Sequence, residues 1–122
     1  LALSTVRDGA EIIILGTNDS WYKDSAAVYQ HVGHAALRAI ENGRYIVRSA
    51  NTGVSSVITD KGRIISLLGP LKKGYVTANV NTYSYKTVYS YIGNAIVYLS
   101  ILYVNFLFMY KFIENKRKSI EN

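Results

Sequence analysis

Between Thr17 and Ile58 the chain reads TNDSWYKDSAAVYQHVGHAALRAIENGRYIVRSANTGVSSVI. Its polar groups fall at the joints between a strand, a helix and a hairpin, where sites are built, not along faces that fill a core. Asn18, Asp19 and Trp21 follow the carboxyl end of an apolar strand, the place where open α/β sheets set their ligands. The amide of Asn18 and the carboxylate of Asp19 can fix loop geometry by accepting from backbone N–H groups, with substrate contact as the alternative. His31 and His34 stand three apart on the next helix, but no carboxylate or third ligand sits at suitable spacing, so no metal is expected and His31 reads as hydrogen-bonded structure. Arg38 and Glu41 form an i, i+3 pair, the spacing of a helix-surface salt bridge. Arg48 lies in a strand that should be largely buried. A buried guanidinium needs partners, and a carboxylate from outside this chain is expected to supply one. Asn51 and Gly53 interrupt that strand, and a side-chain amide at such a break can point into a site.

These residues need elements to hold them. Leu1 to Arg7 reads as the end of a helix closed by Asp8-Gly9, with Gly9 left-handed. Glu11 to Leu15 is a short β-branched run of the kind buried on both sheet faces. Gly16 to Asp24 is a loop, and Asp24 or Ser25 caps a helix that runs to about Asn42 and stops at Gly43. Val28, Val32, Ala35, Ala36, Ala39 and Ile40 make its apolar stripe. Tyr45–Ala50 and Val54–Thr59 read as strands, the break between them being a bulge or kink in one long strand. Asp60-Lys61-Gly62 is a hairpin turn, Arg63–Leu68 its partner strand, and Gly74–Val80 a further strand. The order is α-β-α-β-β-β, too few elements to close a sheet and cover both faces. Because the first residues already read as helical, a C-terminal piece of a longer protein is expected.

The chain has no cysteine, hence no disulfide, thiolate metal site or thiol nucleophile of its own. Its net charge is +6. Ten basic and six acidic residues lie up to Lys86, and four and two beyond it. They are scattered except for Lys116-Arg117-Lys118, which argues against a nucleic-acid partner and for a solvated surface with a membrane-flanking cluster.

Thr87 to Tyr110 is 24 residues without a charge. As a helix it spans ~36 Å against a ~30 Å hydrocarbon core. Tyr83, Tyr85, Tyr89 and Tyr91 crowd one end, and Tyr110 with Phe112 marks the other, as aromatic belts do. Asn94 and Asn105 are expected to share a helix face that meets other helices. Four cations beyond the end (Lys111, Lys116, Arg117, Lys118) against three before it (Lys72, Lys73, Lys86) favour a cytoplasmic C-terminus.

Several pieces, in this order and spacing, resemble the carbon–nitrogen hydrolase (nitrilase) superfamily and, within it, the membrane-embedded apolipoprotein N-acyltransferases. They are Thr17-Asn18-Asp19-Ser20-Trp21 after the strand, Gln30-His31 in the helix, Arg38-Ala39-Ile40-Glu41 at its end, Arg48 through Ser55, and Asp60-Lys61-Gly62-Arg63-Ile64. The resemblance covers roughly residues 1–113. It implies an α/β fold, a partial nitrilase-like α-β-β-α sandwich followed by one transmembrane helix. Its domains would be 1–86 (the C-terminal part of the hydrolase domain), 87–113 (membrane helix) and 114–122 (basic cytoplasmic tail). It also implies a Glu-Lys-Cys triad whose thiolate takes an acyl chain from phospholipid, the thioester then being attacked by the N-terminal amine of a lipoprotein. All three triad residues would precede Leu1, so the chain alone is expected to be inactive.

By this resemblance the loop of Asn18, Asp19 and Trp21 borders the pocket, with Asn51 lining it. Trp21 either packs on acyl chain and dips into the interface or anchors the loop. His31, Arg38, Glu41, Arg48 and Gly53 would be structural support. No cofactor is implied. The implied partners are a phospholipid donor, a lipoprotein acceptor, the membrane and the missing N-terminal part. The implied location is a bacterial inner membrane with the domain extracytoplasmic. Two rivals stand beside this reading. One is another membrane-tethered amidase or acyltransferase of the superfamily; the other is a non-catalytic membrane subunit complementing a triad-bearing partner.

Overall fold

The computed structural model describes residues 2–121. Leu1 and Asn122, the outer ends of the expected first helix and tail, lie outside the described residues, as does the side chain of Lys118. The chain divides into two compact units, one through Tyr91 and one from Ile92 onward.

The first unit is mixed α/β, with one four-stranded sheet in the order β1-β2-β3-β4. Helix α1 (Ala2–Arg7) buries Val6, and the Arg7 guanidinium donates to the carbonyl oxygens of Ser90 (2.8 Å) and Tyr91 (3.1 Å). Strand β1 (Ile12–Asn18) runs three residues past its expected end. Gly16, Thr17 and Asn18 stay in register with Ser49, Ala50 and Asn51 of the parallel strand β2 (Tyr45–Asn51). The expected burial on both faces does not hold. β1 is an edge strand with Ile14 76% exposed, and only the face bearing Ile13 and Leu15 packs on the core.

Helix α2 (Ala26–Asn42) crosses from β1 to β2. Ser25 occupies its N-cap with extended backbone, but no side chain bonds the free N–H groups there. Gly43 ends the helix at φ 61°, its N–H returning to the carbonyls of Ala39 and Ile40. A side chain at Gly43 would also strike the Tyr85 ring, 2.6 Å from Cε2. Val28, Val32, Ala35 and Ala39 are buried against Ile46, Val54 and Ile58, with Ala36 at the margin. The small alanines let the helix lie close to the strands. Ile40 leaves the expected stripe; it is 51% exposed and rests over Gly62 of the next turn.

The break at Asn51-Thr52-Gly53 is a reversal, not a kink. β3 (Ser55–Ile58) returns antiparallel to β2, with Arg48 opposite Ser56 and Ile46 opposite Ile58. Strand β4 (Ile64–Leu68) pairs antiparallel to β3 after the turn at Thr59–Gly62. The strand expected at Gly74–Val80 does not form. A strand needs a neighbouring edge, and here Gly74, Tyr75 and Val76 lie over Val47 and Leu68 on the sheet's outer face.

A second buried arginine, unforeseen in the sequence, closes this unit. Arg44 is 1% exposed and donates to the carbonyls of Ala10 (2.8 Å), Gly43 (3.0 Å) and Tyr85 (2.7 Å), with the Tyr85 ring 5.6 Å from its guanidinium carbon. It joins the α1–β1 connection, the end of α2 and the segment leading to residue 87. Tyr85 in turn donates its phenol hydrogen to Asp60 (3.1 Å); burial, then the Asp60 carboxylate, raise its pKa above the ordinary phenol value.

The uncharged run expected as a single helix is two. Helix α3 (Val88–Ile92) stops at Gly93, φ 53°, and α4 (Ala95–Glu121) follows. The expected tail from residue 114 is thus helical to Glu121. Within Ala95–Arg117 an 18-residue window reaches mean hydropathy 1.8, and the helix is long and apolar enough to cross a membrane. Asn94 stands just before α4 and Asn105 within it. The Asn94 carbonyl caps α4 by accepting from Val97 and Tyr98, and the Asn105 amide donates to the Ile101 carbonyl one turn back at 2.8 Å. A polar group satisfied within its own helix needs no neighbour in lipid.

Burying one such Val or Ile contributes about 1.5–3 kcal/mol. Ile46→Ala should therefore destabilise the first unit by about 2–5 kcal/mol, while Leu37→Ala, on the exposed side of α2, should stay within about 0.5 kcal/mol of wild type. Urea unfolding in detergent measures both.

Candidate functional site

Asn18, Asp19, His31, Arg48 and Gly53, among the residues singled out in the sequence, meet at the carboxyl ends of β1 and β2. Asp19 is the first residue past β1 and is 2% exposed. Its N–H donates to the Asn51 carbonyl at 3.2 Å, extending the strand pairing by one bond. Its carboxylate does not bond backbone N–H groups, as the loop-fixing reading would have it. One oxygen takes Arg48 Nη2 at 2.5 Å and the other faces His31 Nδ1 at 3.0 Å. A carboxylate facing a guanidinium offers acceptors only, so Nδ1 of His31 is the donor in this bond. The edge of the His31 ring meets Tyr22 at a centroid distance of 5.0 Å.

Arg48 is 3% exposed. The carboxylate expected from outside the chain is provided within it by Asp19. The remaining donors go to the Val54 carbonyl (3.1 Å), the His31 carbonyl (3.3 Å) and Thr17 Oγ1 (3.2 Å). One guanidinium thus ties β1, the loop after it, α2 and the β2–β3 turn. Gly53 is dictated by this pair. A Cβ built there would fall inside the Asp19 carboxylate, 2.8 Å from its Cβ and Cγ, so any other residue would push the pair apart.

Asn18 braces the loop itself. Its side-chain oxygen accepts from the N–H (3.2 Å) and hydroxyl (2.6 Å) of Ser20, starting the 3-10 turn Ser20–Tyr22. That turn lifts Trp21 into solvent at 91% exposure. Arg38 and Glu41 pair at 2.6 Å on the open side of α2, away from this cluster. Among the described residues no three His, Cys, Asp or Glu side chains gather as they would around a metal ion.

Asn51 and Gly53 are among the residues lining a cleft of about 490 Å³ on the sheet face away from α2. Asn18, Asp19 and Trp21 are not among that cleft's lining residues. Asp19 stands directly behind Gly53 and sets the wall from within. Sequence reasoning missed the other side of this cleft, where Lys72 and Lys73 close it. The only signal was a pair of adjacent lysines after Gly69-Pro70, and nothing in local sequence says that this turn folds back onto β2.

This geometry is a helix-backed sheet with a buried ion pair at its strand ends and a cleft beyond. The amino-acid sequence matches a known family. The sequence model of carbon–nitrogen hydrolases matches residues 1–89, and the chain belongs to that family. Among curated relatives, the apolipoprotein N-acyltransferase of Borreliella burgdorferi is 31% identical over 116 residues, 93% of this chain and 22% of the relative. Apolipoprotein N-acyltransferase 1 of Treponema denticola is 36% identical over 114 residues, 88% of this chain and 21% of the relative. The Rhodopseudomonas palustris apolipoprotein N-acyltransferase is 43% identical over 77 residues, 63% of this chain and 14% of the relative. The chain spans about a fifth of the length of the first two.

The buried pair makes a sharp energetic prediction. Arg48→Met leaves Asp19 buried without its cation and should cost about 3–5 kcal/mol. Asp19→Asn should cost a similar amount, and the double variant clearly less than the two together, with a coupling on the order of 1–3 kcal/mol. A double-mutant cycle by urea unfolding measures it.

Proposed function

We propose that this chain is the C-terminal part of an apolipoprotein N-acyltransferase. It comprises the closing portion of the hydrolase-like domain through Lys86, a membrane segment over residues 87–113 and a basic tail. One observation carries the reading. Similarity to the Borreliella acyltransferase extends over 116 residues, well past residue 89 where the hydrolase family model ends, and so into the apolar helix. Both the hydrolase-matched part and most of the apolar helix lie within the aligned stretch.

In the proposed reaction a cysteine thiolate attacks the ester carbonyl of a phospholipid. The acyl–oxygen bond breaks, the lysophospholipid leaves and a thioester forms. The N-terminal amine of a lipoprotein then attacks the thioester, an amide forms and the thiol returns. These 122 residues contain no cysteine, so the nucleophile, with its Glu and Lys, belongs to sequence outside them. What these residues supply is the frame. The Asp19–Arg48–His31 cluster holds the loop and turn that border the pocket, Asn51 contributes to its wall, and Trp21 meets acyl chain or the membrane interface. The domain stands outside the cytoplasmic membrane of a bacterium, with the C-terminus in the cytoplasm.

Intact-mass spectrometry tests this. Incubated alone with phospholipid, the purified chain should gain no acyl mass. Co-expressed with the cysteine-bearing remainder of the protein, acyl transfer should return, with the thioester on the other piece. A covalent acyl adduct on this chain would overturn the reading.

A further inference from the structure

The turn that carries Trp21 is held at both ends by one histidine. His31 lies in the second turn of α2, and its Nδ1 donates to an Asp19 oxygen at 3.0 Å. Its ring meets that of Tyr22 at a centroid distance of 5.0 Å, with the planes 83° apart. Asp19 is the N-cap of the 3-10 turn and Tyr22 its last residue. The Tyr22 N–H donates back to the Asp19 carbonyl at 3.0 Å. Trp21 stands between them, 91% exposed.

A histidine side chain changes charge between about pH 5 and 8, and the groups around His31 decide what that change does. Asp19, from the loop after β1, presents a carboxylate. Arg48, from β2, donates to the main-chain carbonyl of His31 at 3.3 Å, but its charge is already met by the other Asp19 oxygen. Tyr22, from the 3-10 turn, presents its ring. On α2 itself, His34 stands exposed three residues on. A neutral His31 gives Asp19 an ordinary hydrogen bond, and a charged one gives a bond about twice as strong. The His31 side chain is 34% exposed, so its charged form keeps contact with water and burial does not cancel the gain.

We propose that His31 is a proton-operated latch on the Trp21 turn. Charged, it clamps Asp19 and Tyr22 and fixes the indole between them; neutral, it lets the turn loosen. A histidine that gains a carboxylate partner contributes stability that is complete at acid pH and is lost as the pH rises through its titration. The turn is therefore tightest in mildly acidic surroundings. The latch stands on these contacts alone and does not rest on the acyltransferase reading. Under that reading, the turn borders the pocket, and the latch makes acyl transfer respond to the pH on the domain's side of the membrane.

The chain holds two histidines and one tryptophan, so nuclear magnetic resonance of the full chain in uncharged detergent reads the latch directly. Between about pH 5 and 8 the Asp19 and Tyr22 amides and the Trp21 indole N–H should shift with one midpoint, that of the His31 ring. Exchange protection of the Tyr22 amide should fall about fivefold across that range, the difference between a charged and a neutral hydrogen bond. His31→Gln keeps a donor but no titrating charge and should flatten both responses. His34→Gln should leave both within about twofold of wild type. Unchanged protection of the Ile46 amide verifies that each variant is folded. The proposal is overturned if the three signals ignore the His31 midpoint, if His31→Gln keeps the pH response, or if His34→Gln abolishes it. If the latch titrates as described yet the reassembled protein transfers no acyl chain at any pH, the latch stands and the acyltransferase reading falls.

Discussion

The arrangement depends on a guanidinium and a carboxylate held 2.5 Å apart with both side chains 3% exposed. Removing two charges from water is costly, and a pair alone seldom recovers that cost. What the Asp19–Arg48 pair supplies is position. Arg48 reaches Thr17, Asp19, His31 and Val54 at once, four points on four segments that a purely apolar core would leave free to slide. It sits opposite Leu15 in the parallel register of β1 and β2, so a slip of one residue would carry the guanidinium to the wrong face of the sheet. The ion pair and the register specify each other.

Arg44 works differently. Its acceptors are backbone carbonyls, and the segment it gathers includes Tyr85, whose ring lies over it. Thr87 continues this closure by donating its hydroxyl hydrogen to the Glu41 carbonyl at 2.5 Å, and Arg7 grips Ser90 and Tyr91. The chain before α4 is thus fastened to α1 and to the end of α2 by side chain-to-backbone bonds. α4 is uncharged from Ala95 through Tyr110, and its Ser100 and Asn105 bond carbonyls of their own helix.

Much of this was legible in the sequence because it is written in local pattern. The stripe Val28-Val32-Ala35-Ala39, the Gly43 stop, the Asp60-Lys61-Gly62 turn and the uncharged run are short-range signals. So is the order of motifs that carries the family resemblance. What stayed hidden required knowing which edges meet. Asn51-Thr52-Gly53 reads equally as a bulge or a reversal until β3 is seen to pair with β2. Gly74–Val80 has strand composition but pairs with no strand. The partner of Arg48 was sought outside the chain because Asp19, 29 residues earlier, looks like an ordinary loop carboxylate. Gly53 was read as structural support, but only the folded chain shows that it is glycine because the Asp19 carboxylate lies against it. Gly93 divided the apolar helix for a local reason that its long uncharged flanks concealed.

The central claim is that one ion pair braces the loop, the β2–β3 turn and the lysine-bearing turn as a single unit. Hydrogen exchange of two amides in an Arg48→Lys variant, which keeps the charge but loses the fork of donors, tests it most directly. The Asp19 N–H, bonded to Asn51, and the Leu71 N–H, bonded to Thr52, should lose protection together, while the Ile46 amide in the core keeps its own. If Leu71 stays protected when Asp19 is freed, or if all three amides accelerate alike, the brace does not exist as described.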